Sequence, residues 1–407
     1  MPVGAKGPIL FVAGTRPEGI KLIPPYKAFN AAGIPSLFCA TEQHKELLQE
    51  VLDVFEVEPD FRLDVMKDSQ DLFYLTSTIL ERVKKLLLDV RPSIVFVHGD
   101  TTTTFASALA AFYLHIPVAH VEAGLRTGDM RVPFPEEMNR VFVGRIATYN
   151  FAPTAFSVAN LLTEGVDRTK VYCTGNTVVD ALIYVKEKIK SGQLKISNEL
   201  QQWVCRAKAA GSKICLLTAH RREAFGGGLT RVFEVVKKLL KENKNLRIIY
   251  PTHPNPNVQK ALGESGLMDF CGERLFFSQP LTYQNAVYAI DNVDFVMTDS
   301  GGIQEEATSL GKPVLCLRDT TERWEGVWQG LEVLVGTDKD RIMEAAMPFI
   351  RGEKKEHAPS QVYGDGTASN QMVSIVKNIF ASSLSKIKVN SQKTLHEVAS
   401  ESAVSVK

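Results

Sequence analysis

Short apolar runs alternate with longer amphipathic stretches along nearly the whole chain. PILFVA, SIVFVH, VAHVEA, KICLLTA, LRIIYPT, RLFFSQ, DFVMTD and PVLCLRD are almost continuous in Val, Ile, Leu and Phe. Such runs suit strands covered on both faces. Between them, Gln70 to Leu88, Thr102 to Leu114 and Leu229 to Lys241 carry helical spacing. This alternation predicts an α/β fold with parallel sheets joined by right-handed crossovers. It breaks between about Asp180 and Gly211, where charged and polar helix formers dominate. A first domain over 1–180 and a second over 205–365 are expected. The segment 383–407 is rich in Ser, Lys and Val without a period, so a poorly ordered tail is expected there.

The 407 residues suffice for two or three domains with a sizeable core. Lys and Arg total 47 against 46 Asp and Glu, so nothing in the charge calls for a nucleic acid or an acidic membrane as partner. The first apolar run, Ile9 to Ala13, is too short for a signal peptide or a bilayer span, which makes a cytoplasmic protein the expectation. Six cysteines, at 39, 173, 205, 215, 271 and 316, include no CxxC pair and lie beside apolar neighbours. Reduced, buried thiols are expected rather than disulfides or a zinc site.

Polar and charged residues collect just past the carboxyl ends of the apolar runs, and they carry the chemistry. PILFVA leads into Gly14-Thr15-Arg16-Pro17-Glu18-Gly19 with Lys21 beyond, and SIVFVH into Gly99-Asp100 and a run of threonines. VAHVEA carries Glu122, KICLLTA precedes His220-Arg221-Arg222-Glu223, LRIIYPT precedes His253, and DFVMTD leads into Ser300-Gly301-Gly302 with Glu305 and Glu306. Ligands of open α/β sheets bind beyond the carboxyl ends of the strands, so two facing sheets would gather these clusters into one cleft. Ser300-Gly301-Gly302 reads as a phosphate site or as a plain helix cap. Glu306 reads as a ribose acceptor or as a solvated helix charge. Arg16 and Lys21 suit a diphosphate. The spacing misses a Walker A loop, because the lysine comes one residue late and no Ser or Thr follows it. No GxGxxG follows a strand, so a nicotinamide cofactor is unsupported. Asp100, Glu122 and Glu136 are candidate acid/base carboxylates and His220 a candidate cation or proton donor. Asp100 reads equally as a helix N-cap, and Glu136 as a first-turn charge. No histidine pairing suggests a metal site.

GTRPEGIKLIP, HGDTTTT, HVEAGLRTGD, PFPEEMNR, TGNTVVDAL, TAHRRE, TDSGGIQEEA, GKPVLCLRDTTER and YGDG, in this order from about Ile9 to Phe380, resemble the non-hydrolysing UDP-N-acetylglucosamine 2-epimerases. The resemblance implies a GT-B-like architecture of two Rossmann-like domains facing a central cleft. A C-terminal helix at about 366–382 would return to the first domain, and the protein would be a homodimer. It implies reversible conversion of UDP-N-acetylglucosamine to UDP-N-acetylmannosamine, through loss of UDP to a 2-acetamidoglucal and its re-addition. No metal or other cofactor is implied. Asp100, Glu122, Glu136 and His220 fall in the catalytic set, and Arg16, Lys21, Ser300, Gly301, Gly302, Glu306 and Arg323 in the substrate-binding set.

The chain departs from the family in three places. Ala286 stands where many members have an aromatic residue, leaving Tyr283 or Tyr288 to compensate, and Trp324 interrupts the usual ERPE. A second, activating substrate site in some members uses two Gln, an Arg and a His. Gln43 and His253 match it, whereas Glu46 and Ser69 do not, so weaker or differently built activation is expected. Competing readings are an epimerase of another UDP-2-acetamido sugar, a GT-B glycosyltransferase, a hydrolysing 2-epimerase and a non-catalytic nucleotide-sugar sensor.

Overall fold

The computed structural model describes residues 7–67, 70–221, 224–354 and 357–382. Ser69, Arg222, Glu223 and the expected tail 383–407 lie outside the described residues. The first half runs β1 (Ile9–Ala13), α1 (Arg16–Ala31), β2 (Ser36–Ala40), α2 (Lys45–Val54), β3 (Phe61–Arg62), α3 (Leu72–Val90) and β4 (Ile94–His98). It continues with α4 (Thr102–Tyr113), β5 (Val118–Val121), α5 (Glu136–Ile146), β6 (Tyr149–Ala152), α6 (Ala155–Thr163), β7 (Val171–Cys173) and α7 (Thr177–Lys190). The second half runs α8 (Asn198–Ala209), β8 (Lys213–Thr218), α9 (Gly228–Glu242), β9 (Leu246–Pro251), α10 (Pro256–Ser265), β10 (Leu275–Ser278) and α11 (Tyr283–Asn292). Then come β11 (Phe295–Thr298), α12 (Gly301–Ser309), β12 (Val314–Cys316), α13 (Trp324–Trp328), β13 (Glu332–Leu334) and α14 (Lys339–Ile350). A last helix covers 368–382.

The strands form two all-parallel sheets, ordered β3-β2-β1-β4-β5-β6-β7 and β10-β9-β8-β11-β12-β13. Every residue of β1 and β4 is buried, which explains their unbroken apolar sequence. Helix starts are fixed locally by short polar side chains: Asp71 accepts from the Tyr74 amide at 2.7 Å, and Thr101, Thr154, Asn176 and Asp338 cap α4, α6, α7 and α14. Helix α9 turns Leu229, Val232, Phe233, Val236, Leu239 and Leu240 inward at helical spacing.

The polar passage 180–211 is helical rather than extended. Val178, Ala181, Leu182 and Val185 of α7 join the core of the first sheet, and Leu200, Trp203 and Val204 of α8 pack with Ile214 and Leu216 of the second. Met372, Val373 and Val376 of the last helix lie in the first-sheet core. Among the described residues no helix is long and apolar enough to cross a membrane. All six cysteines are free, but Cys173, Cys205 and Cys271 are exposed, which corrects the expectation of six buried thiols. Cys173 and Cys271 sit at strand and turn ends, and Cys205 on the outer face of α8, where apolar sequence neighbours do not mean burial.

Candidate active site

Each sheet has one place where the strand order reverses, between β1 and β4 and between β8 and β11. The turns leaving these four strands carry Gly14 to Arg16, Gly99 to Asp100, His220, and Asp299 to Ser300. The two halves also touch around these turns and on neighbouring elements. Arg16 donates to the Leu281 carbonyl at 2.9 Å, the Tyr283 amide donates to Glu50 at 2.7 Å, and Thr154 bonds Glu325. Reversal points of this kind are where open α/β sheets hold ligands.

In the first half the turn after β1 is packed tightly enough to require glycine, since a Cβ on Gly14 would collide with the Thr41 and Thr103 hydroxyls. Asp100 does not cap α4. Thr101 does, accepting from the Thr104 amide at 3.1 Å, because the side chain of Asp100 is drawn instead to Arg140 on α5. Asn139 donates to the Asp100 carbonyl at 2.8 Å. Glu136, half-buried at the start of α5, is held above the usual carboxylate range by burial, with the charge of Asp100 adding to it against Arg221 and Arg140. Its neighbour Glu137 turns inward to accept from the Thr127 and Gly128 amides at 2.9 and 3.1 Å.

Glu122 stands on a left-handed backbone, φ 62°, which is uncommon for a residue with a side chain. Its buried carboxylate contacts Lys21 and accepts from Asn176 at 2.7 Å, with His98 at 3.5 Å. Burial alone would raise the Glu122 carboxyl, but Lys21 and His98 outweigh it and hold it well below the ordinary value. Lys21 also lies 3.1 Å from Glu305 of α12, so it ties the two halves together. Burial would lower the Lys21 ammonium, yet Glu122 and Glu305 raise it. Glu305 accepts from Arg323 at 2.8 Å, and Arg323 pairs in turn with Glu322, which pairs with Arg318 at 2.9 Å. Lys21, expected to face a diphosphate, and Arg323, expected to bind substrate, are thus both paired with buried carboxylates. For Lys21 the pairing with Glu305 comes from the closeness of the halves, whereas Arg323 is paired within the second half and lies against Gly301, where a Cβ would strike its guanidinium.

In the second half Ser300 precedes α12 but makes no side-chain cap, and its amide donates to Thr298 at 3.0 Å. A Cβ on Gly302 would meet nothing within 4 Å. The start of α12 therefore presents first-turn amides beside a small-residue face. Glu306 is no solvated charge: it is buried, and burial pushes its carboxyl up to about 7. Of the two tyrosines offered to compensate for Ala286, Tyr283 is fully buried in the first-sheet core, stacked on Phe55 at 6.2 Å. The backbone amides of His220 and Arg221 donate to Asp299 at 2.6 and 2.7 Å, and the His220 ring stacks on His253 at 4.9 Å and 8°. Burial, and then the neighbouring His220, lower the His253 imidazole. Gln43 accepts from the Thr103 hydroxyl at 2.9 Å, on the other sheet from His253.

The structure thus brings Lys21, Glu122 and Arg323 into one ionic chain, places Asp100 and Glu136 around Arg140, and joins His220 to His253. Glu18, Arg140, Asn176, Asp299 and Glu305 were not singled out as site residues from the sequence, although they lie in the blocks GTRPEGIKLIP, PFPEEMNR, TGNTVVDAL and TDSGGIQEEA. For Glu18, Asn176 and Asp299 the signal was a charged or amide residue beside a glycine turn, and for Arg140 and Glu305 a charge one turn into a helix.

Carboxylates, a histidine and a helix start of small residues thus collect at the reversal points of two parallel sheets, the arrangement of a ligand-binding α/β protein. A sequence profile of the family described as UDP-N-acetylglucosamine 2-epimerase matches residues 27–377. The UDP-N-acetylglucosamine 2-epimerase of Yersinia pestis is 42% identical over 376 residues, covering 91% of this chain and 98% of that protein. The crystal structure of UDP-GlcNAc 2-epimerase from Neisseria meningitidis bound to UDP-GlcNAc is 40% identical, with a TM-score of 0.83, covering 91% of this chain and 99% of the other. The S. aureus MnaA-UDP co-structure is 38% identical, with a TM-score of 0.82 and coverages of 91% and 96%. The chain belongs to the UDP-N-acetylglucosamine 2-epimerase family.

Proposed function

We propose that this protein interconverts UDP-N-acetylglucosamine and UDP-N-acetylmannosamine by eliminating and re-adding UDP. The observation that carries the reading is a pair of carboxyls pushed in opposite directions, Glu122 lowered by Lys21 and His98 against its burial and Glu136 raised by burial. Such a split suits a reaction that takes a proton from one face and delivers one to the other. The similarity to a structure bound to UDP-GlcNAc supports the substrate class.

A carboxylate of the set Asp100, Glu122 and Glu136 takes the proton from carbon 2. The electron pair becomes the carbon 1–carbon 2 double bond of 2-acetamidoglucal, and the carbon 1–oxygen bond breaks with both electrons leaving on UDP. In the return step a diphosphate oxygen adds to carbon 1 and a carboxyl gives a proton to the opposite face of carbon 2. The exchange is redox-neutral. Negative charge growing on the diphosphate is met by Arg16, His220 and the first-turn amides at Ser300, Gly301 and Gly302. Lys21 and Arg323 contribute positive charge from behind these groups, and Glu306 receives the ribose hydroxyls.

The reading includes a homodimer in the cytoplasm. Phe112 and Tyr113 of α4 and Phe142 of α5 are exposed and supply an apolar face for a second copy. Incubation with UDP-N-acetylglucosamine alone, followed by separation of the nucleotides, tests the function. UDP-N-acetylmannosamine should accumulate with UDP only in trace. Stoichiometric UDP would show a hydrolysing enzyme, and unchanged substrate would refute the proposal.

A further inference from the structure

Glu18, in the first turn of α1, is fully buried. Its Oε2 accepts from the Gly14 and Thr15 amides at 2.9 and 2.8 Å and from the Thr15 hydroxyl at 2.9 Å. Its Oε1 accepts from the Thr101 hydroxyl at 2.6 Å and lies 2.9 Å from that of Thr104. A helix capping box accounts for the bond to Thr15 alone. The bond from Thr101 joins the turn after β1 to the turn after β4, which are the two turns at the reversal point of the first sheet. Thr101 is the residue next to Asp100. Asp100 is therefore held from α5 by Arg140 and Asn139, and from α1 by Glu18 acting through Thr101.

We propose that Glu18 is a positioning residue that sets Asp100 for the reaction, an inference resting on the proposed acid/base role of Asp100. The same carboxylate occupies the amides of the first glycine turn as an internal anion. Those amides are then not offered to the diphosphate, which falls to the Arg16 side chain and the amino end of α12. Two glycine turns that look alike in sequence thereby take different tasks, one bracing a carboxylate and the other receiving the leaving group.

The test is Glu18→Gln in the full chain, alone and combined with Asp100→Asn. The amide keeps the volume but presents N–H groups to donors. Because a shift near 1 Å in a reacting group costs up to about 100-fold, kcat should fall roughly 10- to 100-fold with KM changed less than about threefold. In the Asp100→Asn background the same change should cost less than about threefold, since the group it positions is already disabled. An equal loss in both backgrounds overturns the proposal, as does wild-type kcat or a loss confined to KM. Amide hydrogen exchange supplies a readout independent of turnover: exchange over 98–104 should speed by about tenfold or more while α9 stays protected. Unchanged exchange there overturns the clamp. If the wild-type protein does not epimerise, the proposed function fails, and the exchange result still decides whether Glu18 holds the turn. Should Glu18→Gln not fold, Thr101→Val removes the donor next to Asp100. It should show the same kcat loss, with Thr101→Ser restoring most of it, and equal activity of the two would count against the proposal.

Discussion

Lys21→Met removes one of the ionic contacts that join the two halves of the molecule. Lys21 contacts Glu122 of the first half and lies 3.1 Å from Glu305 of the second, and all three side chains are buried. At that distance an effective dielectric near 20 gives an attraction of about 5 kcal/mol for the Glu305 pair, part of which desolvation offsets. Removing one partner of a buried pair costs about 3–5 kcal/mol, because the remaining charge is left without compensation. Spread over the unfolding entropy of a chain this long, that corresponds to a fall in Tm of roughly 4–6 °C if the halves unfold together. The sign with pH is set by Glu122. Lys21 depresses its carboxyl, so the stabilisation is present above the ordinary carboxylate pKa and is lost as pH falls through the native value. In the variant the stranded Glu122 and Glu305 neutralise as pH falls. Scanning calorimetry from pH 5 to pH 8 should therefore show a deficit that is largest at pH 8 and shrinks toward pH 5. Adding Glu305→Gln removes one stranded charge and should recover part of the loss. A deficit below about 1 kcal/mol at pH 8, or one that does not change with pH, would refute this reasoning.

Glu122→Gln should lower kcat by about 100- to 10,000-fold with substrate affinity retained, and a variant within tenfold of wild type would remove Glu122 from the acid/base set. At pH 8, above the value of about 7 to which burial raises its carboxyl, Glu306→Gln should weaken UDP binding about tenfold or more by calorimetry, as expected for a charged acceptor of ribose hydroxyls, and unchanged affinity would place the ribose elsewhere. Glu332 is raised by burial to about 8, with the Tyr363 hydroxyl donating to it at 3.3 Å, so its contribution to stability is full at acid pH and lost as pH rises toward 8. Glu332→Gln should flatten that slope and raise Tm at pH 8, and parallel slopes would contradict the assignment. Pure UDP-N-acetylmannosamine should be converted without a trace of the other epimer, because Glu46 and Ser69 stand where the activating site of some members has Gln and Arg. An absolute requirement for the trace would overturn that expectation.

Much of the fold was legible, since all eight long apolar runs are strands and the three helical stretches lie within two residues of α3, α4 and α9. The strands that escaped, SLFCA, FR, YNFA, VYC and EVL, carry polar positions that break the apolar run. YNFA even buries Asn150, whose amide reaches the Gly144 carbonyl at 3.4 Å, so its sequence lacks the continuous apolar signature. The candidate site was legible as a set of residues at strand ends and illegible as a set of pairs. Nothing local in GTRPEGIKLIP says that Lys21 meets Glu305, because that contact exists only once two separately wound sheets face each other. Asp100 shows the converse, with a local N-cap signal overruled by Arg140 from another helix. Tyr283 changed character for the same reason, since it is buried in the core of the other half of the chain.

The most direct test is proton NMR of the purified protein with UDP-N-acetylglucosamine in deuterated water, with no acceptor present. UDP-N-acetylmannosamine should appear with deuterium at carbon 2, and the remaining UDP-N-acetylglucosamine should gain deuterium at the same carbon as the reaction reverses. An unchanged substrate spectrum, or a product that keeps its original hydrogen at carbon 2, would contradict the proposed exchange of a carbon 2 proton between facing carboxylates.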